Sequence, residues 1–405
     1  MSRRLIVCVG VLAVLGVFPT TSASASKQAP KLKVTSYAKP VCTASRSPKV
    51  ASCMAWVKTD KSGTPLVDPN VAVGMTPAQF HTAYNLPTTV SGKPTIAIVD
   101  AYKNPNIYSD LQRYQDRFHI PSFRKCKTSA MGNCFLALNE RGKQSPLPPS
   151  NPSWSTEIAL DVEVARAICQ NCRIELFEAN SASFHDLRVA VNTAADRGAD
   201  VISNSYGVYG YDCSPQAAYN HPGIAITVSA GDSGYGIACP ANLNTVVAVG
   251  GTSLTLNGDN SYNSETVWSG SGSGCSTANT AQPWQSGNAN WPGIACSGRG
   301  MNDVSADADP STGAAILDSY GAGGWIQVGG TSLSSPLIAS VYALAGNASS
   351  WNYPAQSVYD SPGSLHDVTT GDNDNGSCSV PAWCHASAGY DLPTGIGTPN
   401  GLGGF

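Results

Sequence analysis

Thr95-Ile96-Ala97-Ile98-Val99-Asp100-Ala101 is a short, mostly apolar run, rich in β-branched residues, with one carboxylate near its end. Such a run predicts a strand buried on both faces. Arg173 to Ala179, Val201 to Tyr206, Ile224 to Ala230 and Thr245 to Gly250 read the same way, each bounded by Gly, Asn or Asp. Between them Tyr108 to Phe118, Thr156 to Ile168 and Phe184 to Arg197 carry apolar residues at helical spacing. Buried strands alternating with helices imply an α/β fold: a doubly wound, mostly parallel sheet with helices on both faces. Active sites in such sheets gather at the carboxyl ends of the strands. Asp100 sits at one of those ends, where a side chain capping a turn is its ordinary reading and a vestigial or accessory carboxylate the alternative.

The chain has 405 residues, 42% of them hydrophobic, enough for a large core. Only 13% are charged and the net charge is -3, so no basic field attracts nucleic acid and no polybasic run holds a membrane surface. Arg3 and Arg4 precede an apolar run from Leu5 to Phe18, followed by Ala23-Ser24-Ala25. This is a secretory signal peptide, residues 1–25, too short to span a bilayer and cut after Ala25. The protein is accordingly expected outside the cell. Of thirteen cysteines Cys8 falls in the leader, and the other twelve suit an oxidising compartment. Local spacing suggests Cys42 with Cys53, Cys126 with Cys134, Cys169 with Cys172, Cys213 with Cys239, Cys275 with Cys296, and Cys378 with Cys384. Cys169-Gln170-Asn171-Cys172 also has the form of a redox pair or half a zinc site, but neither a second such pair nor a suitable histidine pair follows it. Residues 26–93 read as an irregular, polar N-terminal extension, 94–405 as the main domain, and Gly270 to Gly300 as surface loops.

Three local patterns carry chemistry. Gly329-Gly330-Thr331-Ser332-Leu333-Ser334-Ser335-Pro336 runs into the apolar stretch Leu337 to Ala345. A small-residue turn that delivers a serine to the first turn of a buried helix makes Ser332 a nucleophile candidate, although Ser and Thr also serve as plain N-caps. Glu157 and Asp161 lie at i and i+4 of an otherwise apolar helix, so they face the same way. Unless solvent screens them as an ordinary acidic face, such a pair shares a proton. Asp232, in Ser229-Ala230-Gly231-Asp232-Ser233-Gly234, follows a strand and overhangs the carboxyl edge of the sheet. The same turn looks like the serine turn of trypsin-like proteases, but those are all-β barrels with a histidine in an upstream context that this chain lacks.

Together, and in this order, these motifs resemble the sedolisin family of serine-carboxyl peptidases, over roughly Gly74 to the C-terminus. The resemblance implies a subtilisin-like fold for a peptidase domain over 94–405. It implies Ser332 as nucleophile, Glu157 as its general base, Asp161 as the group that orients and shares a proton with Glu157, and Asp232 as the acid supporting the oxyanion. None of His81, His119, His185, His221, His366 and His385 has the context of a subtilisin-type histidine. His366-Asp367-Val368-Thr369-Thr370-Gly371 and Ser387-Ala388-Gly389-Tyr390-Asp391 resemble the family's calcium site. Asp367 and Asp391 would then give side-chain oxygens and Val368, Ser387 and Gly389 backbone carbonyls to a Ca2+ ion. Ser387 stands where the family usually has glycine, which a carbonyl ligand tolerates unless the backbone there needs a positive φ. Asp372 and Asp374 lack the spacing and terminal glutamate of an EF-hand loop. Gly74-Met75-Thr76-Pro77-Ala78-Gln79-Phe80 resembles the end of the family's propeptide or the linker beyond it. The extension before it is short for a folded propeptide; whether it inhibits, assists folding or stays attached is open. The expected protein is a secreted, monomeric, acid-acting endopeptidase with polypeptide substrates. The alternatives are a tripeptidyl-type exopeptidase and a catalytically silent binding protein on the same fold.

Overall fold

The computed structural model describes residues 37–45, 47–127 and 131–405. The expected leader and the first part of the extension lie outside them. Four short strands, β1 (Tyr37–Pro40), β2 (Ser52–Cys53), β3 (Trp56–Thr59) and β4 (Val67–Asp68), precede helix α1 (Pro77–Ala83). The sequence shows no periodicity here because these strands exist only through partners that come later in the chain. Thr76 caps α1 and Gln79 answers its backbone in a reciprocal capping box.

The central layer runs β5 (Thr95–Ala101), α2 (Ile107–Phe118), β6 (Arg124–Lys125), β7 (Cys134–Asn139), α3 (Pro152–Ile168), β8 (Arg173–Ala179), α4 (Phe184–Asp196) and β9 (Val201–Asn204). There follow β10 (Tyr206–Tyr209), β11 (Ala225–Ser229), β12 (Ala238–Cys239), β13 (Val247–Leu256) and β14 (Tyr262–Val267). α3 starts earlier than its apolar periodicity because the Asn151 side chain accepts from the Trp154 N–H and Pro152 occupies the first turn. The expected run Val201 to Tyr206 divides at Ser205: β10 leaves the main sheet to pair with β2 and β12. β13 extends past Gly250 because β14 pairs with it antiparallel.

The region Gly270 to Gly300 departs from its expected place on the surface. It holds β15 (Gly274–Cys275), α5 (Pro283–Ser286), α6 (Trp291–Ile294) and β16 (Gly300–Met301). Ser271, Ser273, Ser276 and Gln285 are buried. Polar side chains are tolerated inside because they are bonded: the Gln285 amide donates to Gly300 O at 2.8 Å and to the Tyr359 and Tyr390 hydroxyls. The chain then forms β17 (Val304–Asp307), β18 (Ala314–Asp318), β19 (Gly324–Gly329) and α7 (Thr331–Ala345).

The nine-stranded sheet has the order β14-β13-β11-β9-β5-β8-β7-β6, with β17 also on β13, and every ladder but β13–β14 is parallel. Alternation along β5 assigns its faces: Ile96 and Ile98 enter the core with α3 and α7, while Ala97, Val99 and Ala101 enter the core with α4. Asp100 shares the parity of Ile96 and Ile98. α3 and α7, both buried almost throughout, pack on each other on that face. All six expected disulfides are formed.

Candidate active site

β19 delivers the chain to α7 through Gly330, whose φ is 93°. A Cβ there would lie 2.1 Å from Met54 O and 2.9 Å from Asp232 Oδ2, so only glycine fits. Ser332 is the second residue of α7 and fully buried. Its hydroxyl donates to Ser205 O at 3.3 Å. Its N–H is one of the donors that a helix start leaves without an intrahelical acceptor.

Glu157, Asp161 and Asp100 are all 0% exposed, so the pair on α3 is not a solvated acidic face. Both oxygens of Glu157, both of Asp100 and Oδ2 of Asp161 are enclosed without a completed hydrogen bond; Asp161 Oδ1 accepts from the Ser205 hydroxyl at 2.9 Å. Asp100 therefore caps no turn. Burial, and then the charge of Asp100, drive the Glu157 carboxyl well above its ordinary range; the Ser332 hydroxyl and the Ala55 N–H act the other way. Asp161 is likewise driven up by burial, then by Asp100 and Glu157, with Ser205 opposing. Burial pushes Asp100 itself up to about 8. Three carboxyls this close and this dry hold protons in common.

Asp232 approaches the same point from the loop after β11. Its Oδ1 accepts the Thr331 N–H at 2.8 Å and the Thr331 hydroxyl at 2.7 Å, while Oδ2 is enclosed and unpartnered. Burial lifts this carboxyl to about 7 against the pull of Thr331. The neighbouring Ser233 is exposed and takes no part. The structure thus brings Ser332, Glu157, Asp161 and Asp232 to one end of the sheet and adds Asp100. It also adds Ser205, which sequence reasoning missed because a serine between two apolar strands carries no signal of its own.

The expected calcium ligands also converge, on the C-terminal segment. Asp391 is fully buried; its Oδ2 accepts from the Ser387 N–H at 2.8 Å and its Oδ1 from the Thr394 N–H and hydroxyl, both at 2.9 Å. Asp367 Oδ2 accepts from the Gly389 N–H at 2.8 Å. Gly389 has φ 78°, whereas Ser387 is not among the described non-glycine residues with positive φ, so serine costs nothing there. Among the described residues the carbonyls of Val368, Ser387 and Gly389 accept no hydrogen bond, whereas the intervening Ala388 carbonyl takes the Asn290 amide. Free carbonyls beside two carboxylates form an all-oxygen donor set that fits a hard cation. The cluster Asp374, Cys384 and His385 is a poorer candidate, since Cys384 is spent in a disulfide.

A parallel α/β sheet with a serine at the head of a buried helix and buried carboxyls gathered beside it defines a subtilisin-like protein of the serine-carboxyl type. A model of the subtilase family matches residues 151–368. Sedolisin from Pseudomonas sp. (strain 101) is 27% identical over 381 residues, covering 84% of this chain and 62% of that protein. Kumamolisin from Bacillus sp. (strain MN-32) is 27% identical over 361 residues, covering 81% of this chain and again 62% of the relative. The chain therefore spans less than two thirds of the length of either relative. The solved structure of Pseudomonas sedolisin, a serine-carboxyl proteinase complexed with two molecules of pseudo-iodotyrostatin, matches with a TM-score of 0.67 at 25% identity, over 82% of this chain and 96% of that one. The chain belongs to the subtilase family and, within it, to the sedolisin family of serine-carboxyl peptidases.

Proposed function

We propose that this chain is a secreted, acid-acting serine-carboxyl endopeptidase. The observation that carries the reading is the convergence of a buried serine hydroxyl, two proton-sharing carboxyls and a third, separately held carboxyl around one point. Ser332 Oγ attacks the peptide carbonyl and passes its proton to Glu157, which Asp161 steadies by sharing the charge. The developing oxyanion is met by the Ser332 N–H and by Asp232, which must be protonated to donate. Glu157 then returns the proton to the leaving amine, and a second pass with water frees the acyl group.

Secretion is supported by the leader-like pattern of residues 1–25, which lie outside the described residues, and by the six disulfides. No helix among the described residues is long and apolar enough to cross a membrane. Asp367, Val368, Ser387, Gly389 and Asp391 would hold a Ca2+ ion, which would tie the C-terminal loops together.

The test is digestion of a denatured protein at acidic pH with product termini read by mass spectrometry. Wild type and Ser233→Ala are expected to make internal cuts and Ser332→Ala none. Trimming by short peptides from the N-terminus would favour an exopeptidase, and no cleavage by wild type would leave a silent binding protein. Loss of activity in Ser233→Ala with retention in Ser332→Ala would overturn the nucleophile.

A further inference from the structure

Parallel strands in register set their side chains side by side, and on β8 this brings a fourth carboxyl to the cluster. Asp100 pairs with Glu178, each one residue before the end of its strand. Alternation along β8 puts Ile174 and Leu176 in the core with α3 and α7, and Phe177 and Ala179 in the core with α4. Glu178 therefore lies on the same face of the sheet as Asp100, and it is 0% exposed.

One of its oxygens is engaged: Oε1 accepts the Asn104 N–H at 3.2 Å, and the Asn104 amide donates to Ser155 O at 3.2 Å in the first turn of α3. Oε2 is enclosed without a partner, as are both oxygens of Asp100. The surroundings supply no paired counter-charge. Asp100 on β5, Glu157 and Asp161 on α3, and Glu140 after β7, which accepts the Asn180 N–H at 2.9 Å, are acids themselves. Asn139 on β7 donates to Pro146 O and accepts from the Arg141 and Lys143 N–H groups. On α2 the Tyr108 hydroxyl accepts the Ala137 N–H at 3.2 Å. Lys103, in the loop after β5, bears on Glu178 but forms no ion pair among the described residues.

A carboxylate buried with one backbone donor and no cation is costly, whereas a neutral carboxyl there is not. Burial accordingly pushes Glu178 up to about 8, against the Asn104 N–H and Lys103 and with the help of Asp100. In acid Glu178 thus holds a proton. Because Oε1 already accepts, that proton belongs on Oε2, and a neutral carboxyl can donate from it.

The base has a matching need. For Ser332 to give up its proton, Glu157 and Asp161 must together carry a negative charge, and a buried charge is stable only as far as donors meet it. The Ser205 hydroxyl meets Asp161 Oδ1 at 2.9 Å and the Ser332 hydroxyl bears on Glu157, but Asp161 Oδ2 has no donor of this kind. Asp100 bears on both members of the pair. Burial keeps Asp100 protonated below about 8, and with its proton on it no longer repels the pair but can donate to it.

On the proposed peptidase reading, we infer that Glu178 is a positioning residue of the base: it donates from Oε2 to Asp100, and Asp100 donates in turn to the Glu157–Asp161 pair. Each bond in such a chain polarises the next, so the charge that makes Glu157 a base is met by two donors in series. Glu178 touches neither Ser332 nor the substrate and acts through Asp100. The chain holds the pair ionised in stronger acid than the pair could bear alone, which extends activity on the acid side.

The experiment measures kcat against pH for wild type, Glu178→Gln and Glu178→Leu. Glutamine keeps a donor at this place, while leucine keeps most of the volume and offers none. The fall of kcat on the acid side should move up by about one pH unit in Glu178→Leu, the order of a hydrogen bond to a charged group, or about tenfold in rate on that limb. Glu178→Gln should keep the wild-type acid limb, and the alkaline limb, which follows Asp232, should stay in place in all three. In the Ser332→Ala chain at acidic pH, infrared spectroscopy should show a protonated-carboxyl band that Glu178→Gln removes, and this comparison decides the matter if Glu178→Leu does not fold. Equal acid limbs in all three chains would make Glu178 a structural residue only. Limbs that move down in both variants would mean an anion at 178 that repels the pair, and an infrared band untouched by Glu178→Gln would mean no proton there. Each of these results would overturn the inference and leave the peptidase reading standing. Wild type that cuts nothing at any pH would sink the peptidase reading and this inference with it.

Discussion

Asp100→Asn tests the carboxyl cluster through stability rather than turnover. Asp100 is buried with neither oxygen hydrogen-bonded, and burial lifts its carboxyl from 3.8 to about 8. The folded chain therefore keeps a proton that the unfolded chain gives up near pH 4. Stabilisation by that proton is complete below the unfolded value and is lost as pH rises toward about 8, at about 1.4 kcal/mol per pH unit. Between about pH 4 and pH 7 the loss from this residue reaches about 4 kcal/mol. Asparagine at 100 carries no titrating proton, and any hydrogen bond it lacks costs the same at both pH values, so that cost cancels in the difference. Removing Asp100 also relieves Glu157 and Asp161, whose pKa values it helps to raise, which adds in the same direction. The measurement is denaturant unfolding at the two pH values in a Ser332→Ala background, which prevents self-digestion. The Asp100→Asn chain should gain about 4 kcal/mol or more on its parent in going from about pH 4 to pH 7. A stability difference that does not change with pH would refute the reasoning.

The alkaline limb of activity should follow Asp232, whose carboxyl burial lifts to about 7: wild-type rates should fall as pH rises through that value, and Asp232→Asn, which donates without a titrating proton, should flatten the limb while lowering the maximum. Initial rates across the pH range decide it, and a variant limb as steep as wild type would count against the role of Asp232. Chelation should lower the melting temperature and added calcium restore it, and Asp391→Ala should melt like the chelated protein. Identical melting curves with chelator and with calcium would remove the metal. Gly330→Ala forces a Cβ to within 2.1 Å of Met54 O at a φ of 93°. It should destabilise the fold by about 2 kcal/mol or more, and an unchanged melting temperature would show that the turn can yield.

Local patterns carried much of this in the sequence. The strand Thr95–Ala101 and the helix beginning near Tyr108 are legible because their side-chain periods report burial directly. Ser332 is legible from the small residues before it, and Glu157 with Asp161 from a spacing that depends only on helix geometry. The choice for Asp100 between turn cap and accessory carboxylate was not legible because it turns on whether the strand end meets solvent or α3, and one strand's sequence does not contain that. Buried Ser271, Ser273 and Gln285 defeated the surface-loop reading for the same reason: polar residues enter a core when distant partners bond them.

By itself the sequence determined the alternation of strands and helices and the chemical groups available, since each follows from residues close together along the chain; it suggested the six disulfide pairs, which the fold closes. Only the tertiary structure decided which groups meet. Asp100, Glu157, Asp161, Ser205, Asp232 and Ser332 come from separate strands, loops and helices, and their raised pKa values arise from desolvation and mutual repulsion that exist only once they are packed together. The placement of β2 and β3 is tertiary as well: they have too little apolar surface to form alone, and take shape on the edges of β10 and β19, which the chain supplies far later.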